Sequence, residues 1–346
     1  MAPLDTRFTD LLDLDVPIVQ APVGSATCPE LAAAVADAGG LGMLAVTWRS
    51  PEETRETVRE TRRLTDGAFG VNVVMDDDAK AVPTGDHLDA CLAAGVDVVS
   101  FSFGAGDEHV ERVRDAGGVV LQSVGSADAA RGAARAGADA VVAQGWEAGG
   151  HVESEVATMP LVPRVVDAVD VPVVSAGGIA DGRGVAAALT LGADAAWLGT
   201  RFLATAEARV HDRYRERVVD AAETDTYYGT LFDEGWPDAP HRVLRNATVD
   251  DWEAAGGPPR GERPGEGEVV AEGPDGDPVE RYEDSLALPG TTGDVEALPL
   301  YAGQSAGLAE EVVSAEDLTA ELAAETRAAL SRASSGREGD AERSEE

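Results

Sequence analysis

Residues 171–202 read VPVVSAGGIADGRGVAAALTLGADAAWLGTRF. The stretch opens with a short apolar run, turns at a pair of glycines, continues as an alanine-rich helical pattern and ends in a second apolar run. Near-continuous apolar runs are typical of strands that are buried on both faces of a parallel sheet. Asp181 stands where a helix N-terminus favours a capping side chain. The stretch therefore predicts two parallel strands joined by a helix.

The same unit recurs along the first two thirds of the chain. Apolar runs begin near Val16, Leu41, Phe69, Val96, Gly118, Asp139, Val171 and Ala195, with helical patterns between them. Eight strand–helix alternations are the number that closes a TIM-type (β/α)8 barrel. The alternative is an open, doubly wound sheet, but the first strand–helix turn, residues 21–25, lacks the GxGxxG fingerprint of that fold.

The pattern changes after residue 207. A helix is predicted over about residues 208–222, and 12 of the 23 residues from Gly256 to Pro278 are Gly or Pro, which excludes long helices there. A helical pattern returns over residues 315–330. We predict a barrel made of residues 1–207 and 307–330, an inserted lid and substrate-binding segment over 208–306, and a disordered acidic tail over 331–346.

The charge balance is strongly acidic. The chain has 64 acidic and 27 basic residues, a net charge of −37, and Lys80 as its one lysine. Nucleic acids and anionic membranes both require clustered positive charge, so neither is an expected partner. Because the acidic residues are spread along the chain, we interpret them as an adaptation to concentrated salt; an acidic binding face is the alternative.

Compartment signals point to the cytoplasm. Cys28 and Cys91 form no CxxC pair and no metal-ligand spacing with histidine, so free thiols and no metal site are expected. The longest stretch without a charge, Val16–Pro29, has 14 residues, too few to span a bilayer. Aspartates interrupt what would be the apolar region of a signal peptide.

Glycine pairs mark the last two strand ends. Gly177 and Gly178 follow the seventh strand, and Gly199 and Thr200 follow the eighth. Backbone N–H groups at such turns converge on anions, and these two loops form the usual phosphate site of β/α barrels. The alternative is that the glycines only make tight turns. Because they stand at adjacent strand ends, we predict a phosphate site.

Polar side chains also occupy strands three, five and six. The sixth strand ends in QGWEAGGH, residues 144–151, which places His151 at the active face as a candidate proton-transfer group. The alternative is a loop histidine without a role. Asn72 lies inside an apolar strand and must be hydrogen-bonded, either to a ligand or to a neighbouring strand-end side chain. Gln122 is a similar candidate for the cavity wall.

These motifs together resemble the nitronate monooxygenases, also called 2-nitropropane dioxygenases. The resemblance runs in order from about residue 14 to residue 330. It rests on QAPV (20–23), FGVN (69–72), QGWEAGGH (144–151), SAGGIADGRG (175–184), LGTRF (198–202), GWPDAPHRVLRN (235–246) and LYAGQSAG (300–307).

The resemblance implies a barrel that binds FMN and oxidises alkyl nitronates with O2, with His151 as the base or proton-transfer group. It implies FMN contacts from Asn72, Gln144, Gly149, Gly178, Trp197, Leu198, Gly199 and Thr200, with Ala21, Pro22, Gln122 and Gly177 as further candidates.

Two departures and two alternative functions remain. Val23 stands where the family usually has Met, and Gln122 stands where some members have Lys. Similar motifs occur in FMN-dependent enoyl-acyl-carrier-protein reductases and NADH:quinone reductases, so NAD(P)H is an alternative reaction partner. A flavin-binding barrel without turnover is the other class. The sequence indicates no oligomeric state.

Overall fold

The computed structural model describes residues 4–76, 79–80, 82–104 and 107–341. Its strands are β1 Ile18–Gln20, β2 Gly42–Ala45, β3 Phe69–Val74, β4 Val98–Ser102, β5 Val119–Val124, β6 Ala140–Gln144, β7 Gly150–His151, β8 Val173–Ala176, β9 Ala195–Leu198, β10 Thr226–Gly229, β11 His241–Leu244, β12 Val269–Glu272, β13 Pro278–Glu280 and β14 Thr292–Gly293. Its α-helices are α1 Arg7–Leu12, α2 Pro29–Asp37, α3 Pro51–Leu64, α4 Thr84–Ala93, α5 Asp107–Asp115, α6 Ala127–Ala136, α7 Thr158–Val166, α8 Gly182–Thr190, α9 Thr200–Leu203, α10 Asp212–Asp220, α11 Ala247–Ala254 and α12 Ala315–Ala341.

Eight parallel strands form the central sheet, which confirms the predicted barrel class. Their order is β1-β9-β8-β6-β5-β4-β3-β2. A single parallel bridge between Val19 and Leu41 joins the two ends of this order. There, the Leu41 N–H donates to Ile18 O and the Gln20 N–H donates to Leu41 O, both at 3.0 Å. The sheet is therefore a nearly closed TIM-type barrel.

Mostly aliphatic side chains fill the barrel. The interior cluster contains Val19, Leu41, Met43 and Leu121, all fully buried. Phe8 on α1 belongs to the same cluster, so the first helix packs against the barrel interior. This packing leaves the opposite end of the strands, where their carboxyl ends lie, free for a site.

Helix α12 packs against α8 and α2, in the place of an eighth barrel helix. It begins at Ala315 as predicted but ends at Ala341, so it enters the segment that was expected to be disordered. Helix propensity does not explain this extension, because six of the eleven residues over 331–341 are Ser, Gly or Asp, and residues 331–334 are exposed. The division of the chain into barrel, lid and tail stays a prediction.

Across the described ranges, no helix is both long and apolar enough to cross a bilayer.

The inserted segment lies on the barrel and pairs with it. Strands β10, β11 and β7 form an antiparallel sheet in which His241 is opposite His151. Strand β7 comes from the loop after β6, so the barrel and the insertion share this sheet. Residues of the insertion such as Val279 and Leu298 also lie in the same apolar cluster as barrel residues. The helix predicted over 208–222 is shorter, Asp212–Asp220.

Candidate active site

A cavity of about 380 Å³ opens at the carboxyl ends of the barrel strands. It lies within the range of roughly 300–1,000 Å³ that is typical of small-molecule sites. Loops after β1, β8 and β9 form one side of it, and residues of the insertion, including Trp236, Asp284 and Tyr301, form the other. The cavity is therefore closed by two parts of the chain that are distant in sequence.

Most of the residues predicted for the site line this cavity. They are Ala21, Pro22, Asn72, Gln144, Gly149, His151, Gly177, Gly178, Trp197, Gly199 and Thr200. Leu198 and Gln122 are not among the lining residues. Leu198 is fully buried in the apolar core. Gln122 donates through its Nε2 to the carbonyl oxygens of Phe101, Gly104 and Ser123, so it shapes the loop after β4.

The paired glycines form a turn with free donors. Gly177 and Gly178 have φ angles of 103° and 70°, which favour glycine. Within the part of the chain that the structure describes, the N–H groups of Gly178, Ile179 and Thr200 find no acceptor. The Thr200 hydroxyl accepts from the Gly303 N–H at 2.8 Å, which leaves its own proton available. Four donors at two adjacent strand ends suit a phosphate group.

The N-terminus of α8 is less available than the sequence suggests. The Gly184 N–H donates to the Asp181 carboxylate at 2.9 Å, and the Gly182 N–H donates to Glu325 Oε2 at 2.9 Å. Glu325 lies on α12, which the sequence could not place beside this turn. A phosphate would therefore be held mainly by the glycine turn and not by the first N–H groups of the helix.

The amides of Asn72 and Gln144 already have protein partners. Asn72 Nδ2 donates to the Ser102 hydroxyl on β4 at 3.2 Å, which is the strand-end alternative considered above. Gln144 Nε2 donates to the backbone oxygen of His151, and its Oε1 accepts from the Glu153 N–H, both at 3.1 Å. Both residues also line the cavity. Gln144 thus holds the loop that carries His151.

His151 lies in an aromatic wall. Its ring centroid is 4.1 Å from that of Trp236, and it contacts Phe103 edge-on at 6.2 Å between centroids. Its Nε2 is buried without a hydrogen-bond partner. Burial lowers the pKa of His151 to about 3, because the cavity wall replaces the water that would solvate an imidazolium. The side chain is therefore neutral near pH 7.

The insertion adds a carboxyl group that the sequence analysis missed. Asp284 Oδ2 lies 3.8 Å from His151 Nε2, and its Oδ1 accepts a hydrogen bond from the Tyr301 hydroxyl. Burial raises the pKa of Asp284, and the bond from Tyr301 opposes the shift. Tyr301 and Trp236 belong to motifs that carry the resemblance. Asp284 belongs to none of them, and nothing distinguishes it from the other acidic residues in the sequence.

The cavity wall is mostly uncharged. Among the described residues that line it, Asp284 is the one carboxylate and there is no arginine or lysine. His241 stands behind His151, with burial lowering its pKa to about 4. It accepts from the Phe232 N–H through Nε2 at 3.2 Å, which places its proton on Nδ1, opposite Ala239 O. The site therefore combines a turn with free N–H donors and a mostly uncharged, aromatic chamber.

Comparison with known proteins identifies the family. The family model described as nitronate monooxygenase matches residues 5–325. A (3aS,4S,5R,7aS)-5-hydroxy-7a-methyl-1-oxo-octahydro-1H-indene-4-carboxyl-CoA dehydrogenase of Rhodococcus jostii is 41% identical over 74% of this chain and 70% of its own. A structure of FabK from Thermotoga maritima has a TM-score of 0.81 and 34% identity, covering 96% of this chain and 99% of that one. A structure of nitroalkane oxidase from Streptomyces ansochromogenes has a TM-score of 0.75 and 32% identity, covering 94% and 99%. The chain therefore belongs to the nitronate monooxygenase family of flavin oxidoreductases.

Proposed function

We propose that this protein is an FMN-dependent enzyme that oxidises alkyl nitronates, and the nitroalkanes from which they form, with O2. The observation that carries the proposal is His151, which lines a cavity that also holds a nest of free N–H donors of the size of a phosphate. The family match and the likeness to a nitroalkane oxidase support the same reaction.

The residues present fit an FMN phosphate. Gly178, Ile179 and Thr200 would donate to it through backbone N–H groups that have no other acceptor in the described chain. Asn72 and Gln144 are amides that border the same cavity. When bound, FMN supplies the electron acceptor that passes electrons from the substrate to O2.

His151 would face the substrate beside that cofactor. A neutral imidazole can donate to a nitronate oxygen through the ring nitrogen that carries its proton. A bound negative charge would also raise the pKa of His151 and so strengthen this contact. The packing against Trp236 fixes the ring, because the two centroids are only 4.1 Å apart. In this arrangement His151 holds the substrate's charge rather than acting as a strong base.

Anaerobic mixing with a nitronate tests the proposal. The purified protein should be yellow, and propionate 3-nitronate or an alkyl nitronate should bleach its visible flavin absorbance until O2 is admitted. Protein that keeps its flavin colour in the presence of every nitronate tried would contradict the proposed reaction. A colourless protein that does not take up FMN would contradict the flavin site itself.

A second candidate is an FMN-dependent oxidoreductase that exchanges hydride with NAD(P)H. The observation that favours it is the 41% identity to a dehydrogenase, which exceeds the 32% identity to the nitroalkane oxidase. Anaerobic mixing with NADH or NADPH distinguishes the two, since rapid bleaching by a nicotinamide and none by nitronates would favour this candidate. Flavin that responds to neither would favour the remaining alternative, a binding protein without turnover.

A further inference from the structure

Thr158, which belongs to none of the motifs discussed above, lies against the glycine turn formed by Gly177 and Gly178. It is the first residue of α7, and it does not line the cavity. Its hydroxyl oxygen Oγ1 is 3.0 Å from the Gly177 carbonyl oxygen and 3.4 Å from the Ala176 carbonyl oxygen. Thr158 therefore contacts the turn that carries the free N–H donors without bordering the cavity itself.

The contact with the Gly177 carbonyl bears directly on the Gly178 N–H. These two groups belong to one peptide unit, which is planar and trans, so they point in opposite directions. A hydrogen bond that fixes the carbonyl on one side of the turn therefore fixes the N–H on the other side. This N–H finds no acceptor in the described part of the chain. The Thr158 hydroxyl thus sets the direction of one donor that a phosphate would use.

Two glycines in succession make the turn easy to rotate. Gly177 and Gly178 have φ angles of 103° and 70°, and a residue without a Cβ adopts positive and negative φ about equally readily. Rotation of the peptide between them meets little steric resistance. The rotated peptide would present the carbonyl oxygen of Gly177 where the Gly178 N–H now points, and a carbonyl oxygen repels an anion. The turn therefore needs a contact that selects one orientation of this peptide.

The loop after β6 holds Thr158 in place. The Thr158 N–H donates to Glu147 Oε2 at 2.8 Å, and Thr158 Oγ1 is 3.0 Å from the same oxygen. Gly145 lies so close that a Cβ built on it would stand 1.9 Å from Thr158 Oγ1. The Gly145 N–H also donates to Ala176 O at 2.8 Å. Thr158 is therefore enclosed between this loop and the glycine turn.

The Thr158 hydroxyl has one proton for two close acceptors. It can donate to Gly177 O or to Glu147 Oε2 but not to both at once. The Glu147 carboxylate already accepts from the Thr158 N–H through both of its oxygens. Gly177 O has no other donor in the described chain. The bond to Gly177 satisfies a carbonyl group that would otherwise be left without a protein partner.

We propose that Thr158 is a positioning residue for cofactor binding, whose hydroxyl holds the Gly177–Gly178 peptide in the orientation that presents the Gly178 N–H to the phosphate of FMN. Thr158 acts through this peptide and does not touch the cofactor. The inference rests on the proposed function, because it requires a flavin phosphate at this turn. A side chain outside the cavity lining thus sets the preference for phosphorylated over unphosphorylated flavin.

Competition between FMN and riboflavin isolates the phosphate contact, since riboflavin has the same ring system and lacks the phosphate. Holoprotein is equilibrated with riboflavin, and the amount of FMN displaced gives the ratio of the two dissociation constants. Thr158→Ala should reduce the preference for FMN by about 10–100-fold, the loss of one hydrogen bond to a charged group. Thr158→Ser keeps the hydroxyl and should keep the wild-type preference. An unchanged preference in Thr158→Ala, or equal losses in both variants, would overturn the assignment.

Thr61→Ala is the matched control. Thr61 is fully buried on α3, its hydroxyl donates to the Thr57 carbonyl at 2.9 Å, and it does not line the cavity. The substitution removes the same kind of hydroxyl from the fold, but the preference for FMN over riboflavin should stay at the wild-type value. A loss of preference equal to that of Thr158→Ala would show that general destabilisation sets the ratio.

The wild-type result separates this inference from the proposed function. Wild-type protein that binds neither flavin would contradict the flavin site itself. Wild-type protein that prefers FMN, together with an unaltered preference in Thr158→Ala, would contradict only the role of Thr158.

Thr158→Val provides the same test if Thr158→Ala does not fold, because its second methyl group occupies the space of the hydroxyl and cannot donate. The phosphorus NMR resonance of bound FMN gives a second readout in the holoprotein. This resonance should move in the variant that lacks the hydroxyl and should stay in place in Thr158→Ser. An identical resonance in wild type and in the variant without the hydroxyl would contradict the positioning role.

Discussion

Replacing Gly178 with valine should empty the flavin site while leaving the barrel folded. Gly178 has a φ of 70°, and a Cβ built there would meet nothing closer than Glu147 Cβ at 3.6 Å. The protein therefore has room for the first carbon of the new side chain. The cost to the fold is mainly that of a non-glycine residue in the left-handed region, about 1–3 kcal/mol.

The cost to FMN binding should be larger. The side chain would project at the turn whose Gly178 and Ile179 N–H groups are free to donate. Hydrogen bonds to charged groups contribute about 1.5–3 kcal/mol each. Losing two of them costs about 3–6 kcal/mol, which raises the Kd for FMN by roughly 10²–10⁴-fold.

A matched glycine separates strain from ligand loss. Gly117, in the turn before β5, has a φ of 82° and no atom within 4 Å of a built Cβ. Gly117→Val should show a similar loss in the free energy of unfolding of the apoprotein, measured with urea. FMN titration followed by flavin fluorescence should show an unchanged Kd for Gly117→Val. If Gly178→Val had the same Kd for FMN as Gly117→Val, the phosphate would bind elsewhere.

Four other outcomes are expected. Heat should release FMN and not FAD on chromatography, since the described part of the cavity wall offers one turn with free N–H donors for a phosphate; recovery of FAD would contradict this. Activity should rise with KCl because salt screens the net charge of −37; full activity and stability in dilute buffer would argue against a salt adaptation. Burial lowers the pKa values of His151 and His241 to about 3 and about 4, so the stability that they contribute as neutral groups is present above about pH 6.5 and lost on acidification. Between pH 7 and pH 5, the free energy of unfolding measured with urea should therefore fall by about 2 kcal/mol less in His151→Gln than in wild type. Equal falls in the two proteins would contradict a buried, neutral His151. Gly149→Ala should lower turnover, because a Cβ would overlap the Gly303 and Ala302 backbone; unchanged turnover would show that this contact is dispensable.

The sequence predicts the barrel well because the signals for it are local. Each apolar run and each glycine turn lies within a few residues of the element that it specifies, and the strand starts at Phe69 and Ala195 agree with the structure to the residue. Gly178 and His151 could be placed at the site for the same reason. They follow strands whose carboxyl ends share one face of a barrel.

The lid side of the site depends on long-range contacts that no local pattern shows. Asp284 is one of 64 acidic residues, and only the folded chain shows its hydrogen bond to Tyr301 and its approach to His151. The Gly/Pro-rich stretch was predicted only to exclude long helices, and β12 and β13 pair at its end as an antiparallel hairpin. Glycine and proline exclude long helices there, but they do not exclude short strands joined by tight turns.

The position of His151 connects the barrel to the lid. The histidine lies on β7, which pairs with β11 of the insertion, and the preceding Gly149 lies so close to Gly303 that no side chain fits. The glycine that the resemblance assigned to FMN is therefore also required by backbone packing against the insertion. Displacing the lid would remove Asp284 and Trp236 from the cavity and would also release the strand that carries His151. The phosphate nest belongs to barrel loops, so cofactor binding and turnover should be separable, with the lid governing turnover.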